Sequence, residues 1–276
     1  MGESLKMKKN DVIKLAFLGL LVLAAYFPSL MWMYERWTVK DTYYSHGFLV
    51  PLISAFLIWK KREELKKINL KPSNMGWIFL VPSIITYLIS ALLRINFSAA
   101  FTLVPVLIGL VLLFLGKEYL KHLLFSILFL IFMIPLPSAA IVNISFQLKI
   151  FAAKLSTFIV NQIGIHAIRE GSVIKTAHAY LMVEDPCSGI KSLIALIALG
   201  TLMAYLSHTT RIKKTIMFLS AVPIAVGANI VRIVILTLAS EIYGTKFAMG
   251  WFHDTMGFVV FIIAFLALSL LAKALE

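Results

Sequence analysis

The sequence of 276 residues has one cysteine and few acidic side chains. The single cysteine, Cys187, excludes an internal disulfide and a cysteine-based metal cluster. Only 13 acidic residues accompany 26 lysines and arginines, so the formal net charge is +13. Such an excess of positive charge is typical of proteins that bind nucleic acids. Here the basic residues stand in short segments between apolar runs, where they set membrane topology, and we therefore expect no nucleic-acid partner.

Long apolar runs dominate the chain, in which 61% of the residues are hydrophobic. Several runs approach the ~20 residues that a helix needs to cross a hydrocarbon core of ~30 Å. The first run follows basic residues, as in a signal peptide, but it is too long and lacks a small-residue cleavage site, so we expect an uncleaved helix. The sequence predicts an all-α polytopic membrane protein. About eight transmembrane helices are expected, at 12–33, 44–59, 75–93, 97–115, 121–136, 187–206, 215–239 and 257–272.

The basic segments between these helices predict the orientation in the membrane. Lysine and arginine are concentrated near the N-terminus and in the segments 60–71, 116–122 and 211–214. Because such residues accumulate in cytoplasmic loops, we expect all four segments in the cytoplasm. The prediction is a multi-pass protein of the cell membrane.

Residues 138–186 are expected on the extracytoplasmic side. The part 138–163 is apolar but is interrupted by polar residues, and if it crossed the membrane the basic segment 211–214 would face outward. We therefore predict one outer interfacial helix, entered after the break at Pro135 and Pro137. Short β-favouring runs flank Glu170 and Gly171, which predicts a small extracytoplasmic β-hairpin. No repeat or second soluble domain is visible, so residues 1–276 are expected to form a single membrane domain.

The stretch EDPCSGIKSL contains the only cysteine of the chain. Asp185 suits a helix N-cap and Pro186 the first helical position, which puts Cys187 in the first turn. Backbone N–H groups there stabilise a thiolate, whereas the carboxylates of Glu184 and Asp185 oppose it. Lys191, one turn later on the same helix face, supplies a nearby cation. A buried structural thiol is the alternative.

A second unusual feature is Arg232, which stands inside the apolar run 222–240. An arginine at a helix centre costs roughly 2.5–3.5 kcal/mol on insertion scales, so its side chain is expected to face other helices or a wet cavity. Asn229 lies one turn earlier on the same side. The alternatives are an arginine that reaches the outer headgroups and an asparagine that only bonds a neighbouring helix.

Two histidines complete the candidate group. His253 and Asp254 precede the last predicted helix, and His46 lies at the outer start of the second. Each on its own is more often an ordinary interfacial residue. Together, a thiol, an imidazole and a guanidinium suit acyl transfer, as nucleophile, proton shuttle and anion stabiliser. We expect neither a metal nor a cofactor.

Four stretches of the sequence resemble the exosortases and their relatives, the archaeosortases. They are YYSHGFLVPLISAFLIWKKREEL, EDPCSGIKSL, GANIVRI and HDTMG, which follow in this order from about residue 40 to the end. The resemblance implies a polytopic enzyme with a catalytic triad of Cys187, Arg232 and His253. Archaeosortases tend to carry an arginine at the position of His253, so the exosortase branch is favoured.

The resemblance also implies substrates and a mechanism. Members process secreted proteins that end in a short motif, a transmembrane helix and a basic cluster, of the PEP-CTERM type. Cys187 would form a thioester, Arg232 would stabilise the anion and His253 would transfer protons. The acceptor of the acyl group would be water, another amine or a membrane lipid component. Supporting residues are expected to be His46, Glu184, Ser188, Lys191, Asn229 and Asp254.

Two other classes of protein are alternatives to this interpretation. A transporter or lipid-handling protein would use Arg232 and Asn229 in a polar pathway, with further polar residues at midplane depth on several helices. The unusual residues instead gather toward one predicted face of the membrane. A rhomboid-like serine protease is favoured less, because Ser188 lacks a G-x-S-G context.

Overall fold

A computed structural model of the chain describes residues 9–39, 42–183 and 188–276, with side chains from residue 13 onward. These residues form mostly α-helices, with one small sheet. The described helices are α1 (Lys9–Ala25), α2 (Phe27–Thr38), α3 (Leu49–Lys60), α4 (Arg62–Leu65), α5 (Gly76–Leu92), α6 (Asn96–Phe101), α7 (Leu103–Phe114), α8 (Lys117–Phe129), α9 (Ser138–Gln162), α10 (Ile190–Leu206), α11 (Arg211–Tyr243), α12 (Thr245–Ala248) and α13 (Trp251–Leu275). A 3₁₀-helix, Leu130–Met133, follows α8.

The chain divides into two compact units, Met1–Leu136 and Pro137–Glu276. In the N-terminal unit, helices α5 and α7 pack through glycines: a Cβ on Gly76 would lie 2.4 Å from the backbone oxygen of Gly109. Small residues at a crossing let two helix backbones approach closely, which supports association where burial in lipid gives little driving force. The prediction of a single membrane domain over 1–276 stays a prediction.

The first apolar run forms two helices instead of one. Helices α1 and α2 are bent by 64° at a break beside Tyr26. The Tyr26 hydroxyl is buried and bonds the Thr102 hydroxyl at 2.7 Å, which fixes the break against the next part of the unit. Pro28 follows at the start of α2. A proline is tolerated there because the N–H groups of the first helical turn have no acceptor within the helix. The span predicted at 12–33 is therefore broken, and its second half continues to Thr38.

Helix α11 is the central element of the C-terminal unit. It runs for 33 residues, or ~50 Å at 1.5 Å per residue. Its buried side includes Ala221, Ala225 and Ile233, which contribute to two hydrophobic clusters with side chains of the neighbouring helices. The Ser156 hydroxyl of α9 donates to the backbone oxygen of Ile230 in α11 at 3.3 Å. This helix therefore holds the unit together.

A three-stranded antiparallel sheet lies between α9 and α10 in the chain. Its strands are β1 (Ile168–Glu170), β2 (Val173–Lys175) and β3 (Tyr180–Met182), in the order β1-β2-β3. Gly171, with φ +62°, forms the turn between β1 and β2. The predicted hairpin is thus present, with its turn at Gly171 and Ser172, and the third strand was not predicted.

The end of α11 holds this sheet through Glu241. Its carboxylate accepts from the Thr176 hydroxyl, from the backbone N–H of His178 at 3.2 Å, and from His178 Nδ1 at 2.8 Å. The Thr245 hydroxyl contacts the backbone of Tyr180 in β3. Because β3 ends just before the segment that contains Cys187, these contacts fix the point from which that segment starts.

The structure contains four helices, among the described residues, that are long and apolar enough to cross a membrane. They are Asn96–Phe114, which comprises α6 and α7, Ser138–Gln162, Arg211–Tyr243 and Trp251–Leu275. The bent pair α1 and α2 adds a fifth if it is counted as one span, and three shorter apolar helices are α3, α5 and α10. The chain is therefore a helical membrane protein, while the count of eight spans stays a prediction.

Helix α9 differs from the predicted interfacial helix in one respect. It begins directly after Pro137, as expected, but it is a single 25-residue helix that meets the length and composition of a span. Near its end, the Asn161 side chain bonds both the N–H and the C=O of Ala167 at 2.9 Å and so caps the entry into the sheet. Its placement at the outer interface stays a prediction.

Candidate active site

Arg232 and Asn229 lie on the same face of α11, and both side chains are buried, with 9% and 5% of their surface exposed. The Arg232 guanidinium reaches α13: its Nη2 donates to the backbone oxygen of His253 at 3.0 Å and lies 3.1 Å from His253 Nε2. The arginine thus faces another helix, as the cost of its burial predicts.

The contact with Arg232 indicates which ring nitrogen of neutral His253 carries the proton. A guanidinium has only donors, so Nε2 of the imidazole accepts, and the ring proton of the neutral form lies on Nδ1. Nδ1 is 3.3 Å from a carboxylate oxygen of Asp254, whose side chain is 89% exposed. His253 itself is only 12% exposed. The structure therefore brings together three of the predicted residues, Arg232, His253 and Asp254.

Gly257 makes room for the guanidinium and was not singled out from the sequence. It lies one turn after His253 on α13, and a Cβ at this position would be 2.9 Å from Arg232 Nη2 and 3.2 Å from Cζ. It is the last residue of HDTMG, so the signal was present in a motif already quoted. Any side chain here would displace the guanidinium from His253.

We expect Gly257→Ala to fold normally and to process substrate ~10- to 100-fold more slowly, because a displacement of about 1 Å at a reacting group has an effect of this size. The obstructed atoms are the far end of a flexible side chain, so Arg232 moves and the helices do not. Gly227→Ala in α11 is the matched control, since nothing lies within 4 Å of that position. Equal rates for the wild type and Gly257→Ala would show that the contact between Arg232 and His253 is not needed.

Gly189 brings the start of α10 against Asn229. Its φ is +80°, and a Cβ would lie 2.7–2.9 Å from three atoms of the Asn229 side chain. A residue other than glycine would be strained at this φ and would also clash. Asn229 therefore contacts the backbone only two residues after Cys187 in the chain.

The start of α10 differs from the prediction. The helix begins at Ile190 with Gly189 at its N-cap, three residues later than expected, because a residue with φ +80° cannot be helical. Ser188 is buried, and its hydroxyl accepts weakly from the N–H of Ile190 at 3.4 Å. The predicted cap Asp185, with Pro186, Cys187 and Glu184, lies outside the described residues.

The remaining two candidates are Lys191 and His46. Lys191 is in the first turn of α10, with an exposed side chain. His46 belongs to the N-terminal unit, just before α3, where its ring is half-buried and lies 5.9 Å from that of Tyr44.

The space around Asn229 is small. Two cavities of about 10 Å³ each adjoin it, one lined by Arg232 and Gly257 and the other by Ser188 and Gly189. Each is close to the smallest volume that holds one water molecule. The polar groups are therefore held in close contact, which favours a fixed geometry over an open path.

A family model described as transmembrane exosortase matches residues 37–270. The match spans most of the chain and includes all the stretches that suggested this resemblance. No curated protein and no solved structure gave a match.

Proposed function

Because the chain belongs to the transmembrane exosortase family, we propose that it is a membrane-embedded cysteine transpeptidase. It cleaves the C-terminal sorting signal of secreted proteins, which consists of a short motif, a transmembrane helix and a basic tail. The site lies on the extracytoplasmic side of the cell membrane. The observation that carries the proposal is the buried Arg232, bonded to His253 and one turn from Asn229, which contacts the chain just after its only cysteine.

In the proposed reaction, the thiolate of Cys187 attacks a peptide carbonyl just outside the substrate's transmembrane helix. The C–N bond breaks, and the N-terminal part of the substrate remains on sulfur as a thioester. The leaving amine of the tail takes a proton from His253. A second amine, carried by an envelope component or a lipid, or a water molecule then attacks the thioester and restores the thiol.

In the proposed reaction, proton transfer to His253 is coupled to the contact between His253 and Arg232. When His253 Nε2 takes the thiol proton, it becomes a donor and can no longer accept from Nη2 of Arg232. The guanidinium keeps its bond to the backbone oxygen of His253, and its freed N–H group is available to the oxyanion. Proton uptake by the imidazole thus releases the group that stabilises the next anion.

A reporter protein tests this function. It carries the three-part tail and is expressed with the enzyme in cells that have no related activity. We expect the wild type to shorten the reporter by the length of the tail, measured by intact mass. A matched reporter without the basic cluster gives no shortened product. If Cys187→Ala shortens the first reporter as the wild type does, the proposed enzyme class is wrong.

We also propose an orientation with eight spans, in which 138–186 is extracytoplasmic and the basic loops are cytoplasmic. Two cysteine substitutions test it in a Cys187→Ala background: Ser172→Cys in the turn after β1 and Ser73→Cys before α5. An impermeant maleimide added to intact cells is expected to label only the first. After the cells are permeabilised, both react, which shows that each site is accessible. Labelling of the second variant from outside would reverse the orientation.

A further inference from the structure

The N-terminal unit contains an apolar groove of about 580 Å³. Helix α1 forms one wall, α7 the opposite wall, and α2, α3 and the 3₁₀-helix close its far end. Its lining includes Leu15, Gly19, Leu23, Leu107, Leu110 and Trp37. Trp37 is held at the far end by a bond from Nε1 to the backbone oxygen of Met133 at 2.9 Å. The groove is therefore a defined feature of this unit, and nothing in the proposed reaction uses it.

The dimensions of the groove fit one hydrocarbon chain. Helix α7 and its following residue line it from Leu103 to Leu115, ~18 Å at 1.5 Å per residue. One leaflet supplies ~15 Å of a hydrocarbon core ~30 Å thick, so the acyl chain of one lipid covers most of the length of the groove.

Basic residues lie near one end of the groove. A smaller cavity of about 60 Å³ shares Leu15, Leu18 and Leu115 with the groove, and Lys14 forms part of its wall. Lys71 lies beside it, since its backbone N–H donates to the oxygen of Leu115 at 3.3 Å. The side chains of Lys14 and Lys71 are both exposed.

The charges near this end favour an anion. Lys117 follows Leu115 by two residues and has an exposed side chain. Glu118, the next residue, is paired with Lys121 at 2.7 Å. Three lysines, Lys14, Lys71 and Lys117, therefore stand near the mouth of the groove.

We propose that the groove binds one acyl chain of an anionic phospholipid, whose phosphate lies at Lys14 and Lys71. An apolar chain gains little by leaving surrounding lipid tails for an apolar groove, so the headgroup decides which lipid is retained. Clusters of lysine and arginine at a membrane surface select anionic headgroups. The same lysines repel the basic tail of a sorting signal, which argues against a substrate in this groove.

Native mass spectrometry of the full chain in detergent tests the proposal. Dioleoyl phosphatidylglycerol and dioleoyl phosphatidylcholine are added in equal amounts, so only the headgroup differs. We expect the wild type to retain one phosphatidylglycerol molecule at least ~5-fold over phosphatidylcholine, as the lysines at the mouth predict. Lys14→Gln is expected to reduce this ratio toward one, while Lys273→Gln, at an exposed position in the C-terminal unit, leaves it unchanged.

A second pair of variants tests the groove itself. Gly19→Phe places a ring in the groove and is expected to abolish retention of the lipid. Gly227→Phe, in the C-terminal unit, is expected to leave retention unchanged. The two sites are matched because nothing lies within 4 Å of either glycine. Lys14 is exposed, so its variant reports on binding even if Gly19→Phe fails to fold. Equal retention of the two lipids, or unchanged retention in a folded Gly19→Phe, would overturn the proposal. Displacement of the lipid by a transmembrane peptide with a basic tail would do so too, and would assign the groove to the substrate.

Discussion

Cys187→Ser is expected to lower processing of the tailed reporter by about 10³-fold or more, because a hydroxyl without a strong base is a far weaker nucleophile than a thiolate. The change is nearly isosteric, so expression and membrane insertion should match the wild type. The measurement is the initial rate of reporter shortening in membranes with equal amounts of enzyme. A serine variant that retained a rate close to that of the wild type would make Cys187 a structural thiol.

The same preparation gives the reactivity of the thiol. A nearby cation lowers the pKa of a cysteine thiol below the reference value of ~8.5, so that part of the thiol is ionised near neutral pH. Since Glu184 and Asp185 oppose this, the effect depends on cations such as Arg232. Arg232→Ala is therefore expected to slow alkylation of Cys187 at pH 7, and raising the pH should restore the rate. Because the chain has one cysteine, the reagent reports on this site alone.

Arg232→Lys is expected to insert normally and to lose ~10²- to 10³-fold in processing, the usual effect of removing one anion-stabilising donor. A guanidinium presents several N–H groups in a fixed fork. One of its nitrogens, Nη2, contacts both Nε2 and the backbone oxygen of His253. A lysine ammonium is a point charge on a shorter, flexible side chain and cannot reproduce both contacts while also binding an oxyanion.

The control for this variant is Arg211→Lys, at the exposed first residue of the same helix. We expect its rate to equal that of the wild type. If Arg232→Lys also keeps a near-normal rate, the charge alone suffices, and the side chain serves only to place a cation in the membrane. Equal protein levels in the membrane, measured by immunoblot, separate loss of chemistry from loss of insertion.

Much of the helical structure follows from the apolar runs. The runs at 75–93, 215–239 and 257–272 correspond to α5, α11 and α13 within a few residues at most ends. The largest error is at the first run, where residues on both sides of Tyr26 are apolar and hydropathy cannot detect a bend. A bond from Tyr26 to Thr102, 76 residues later in the chain, holds the break in place. Only tertiary structure reveals such a partner.

The candidate site was predictable in part for the same reason. Spacing along a helix put Asn229 and Arg232 on one face, and the cost of burying charge predicted that Arg232 faces another helix. The sequence could not predict that the guanidinium bonds both the ring and the backbone of His253, because this prediction requires knowledge of how α11 and α13 are placed relative to each other.

The glycines show a further limit of the sequence pattern. The roles of Gly189 and Gly257 depend on which side chain lies opposite, and the pattern does not contain that information. Gly189 also explains why α10 begins at Ile190, since its positive φ keeps this glycine outside the helix.

The most direct test of the account is to identify the residue that carries the acyl group. Enzyme and reporter are mixed, quenched in acid, digested and analysed by mass spectrometry, with His253→Ala included because slower resolution favours accumulation. The account predicts that the N-terminal fragment of the reporter is attached to the peptide containing Cys187 and is released by neutral hydroxylamine, as a thioester is. The account would be contradicted if the fragment were attached to Ser188 or to any other residue while Cys187 remained unmodified.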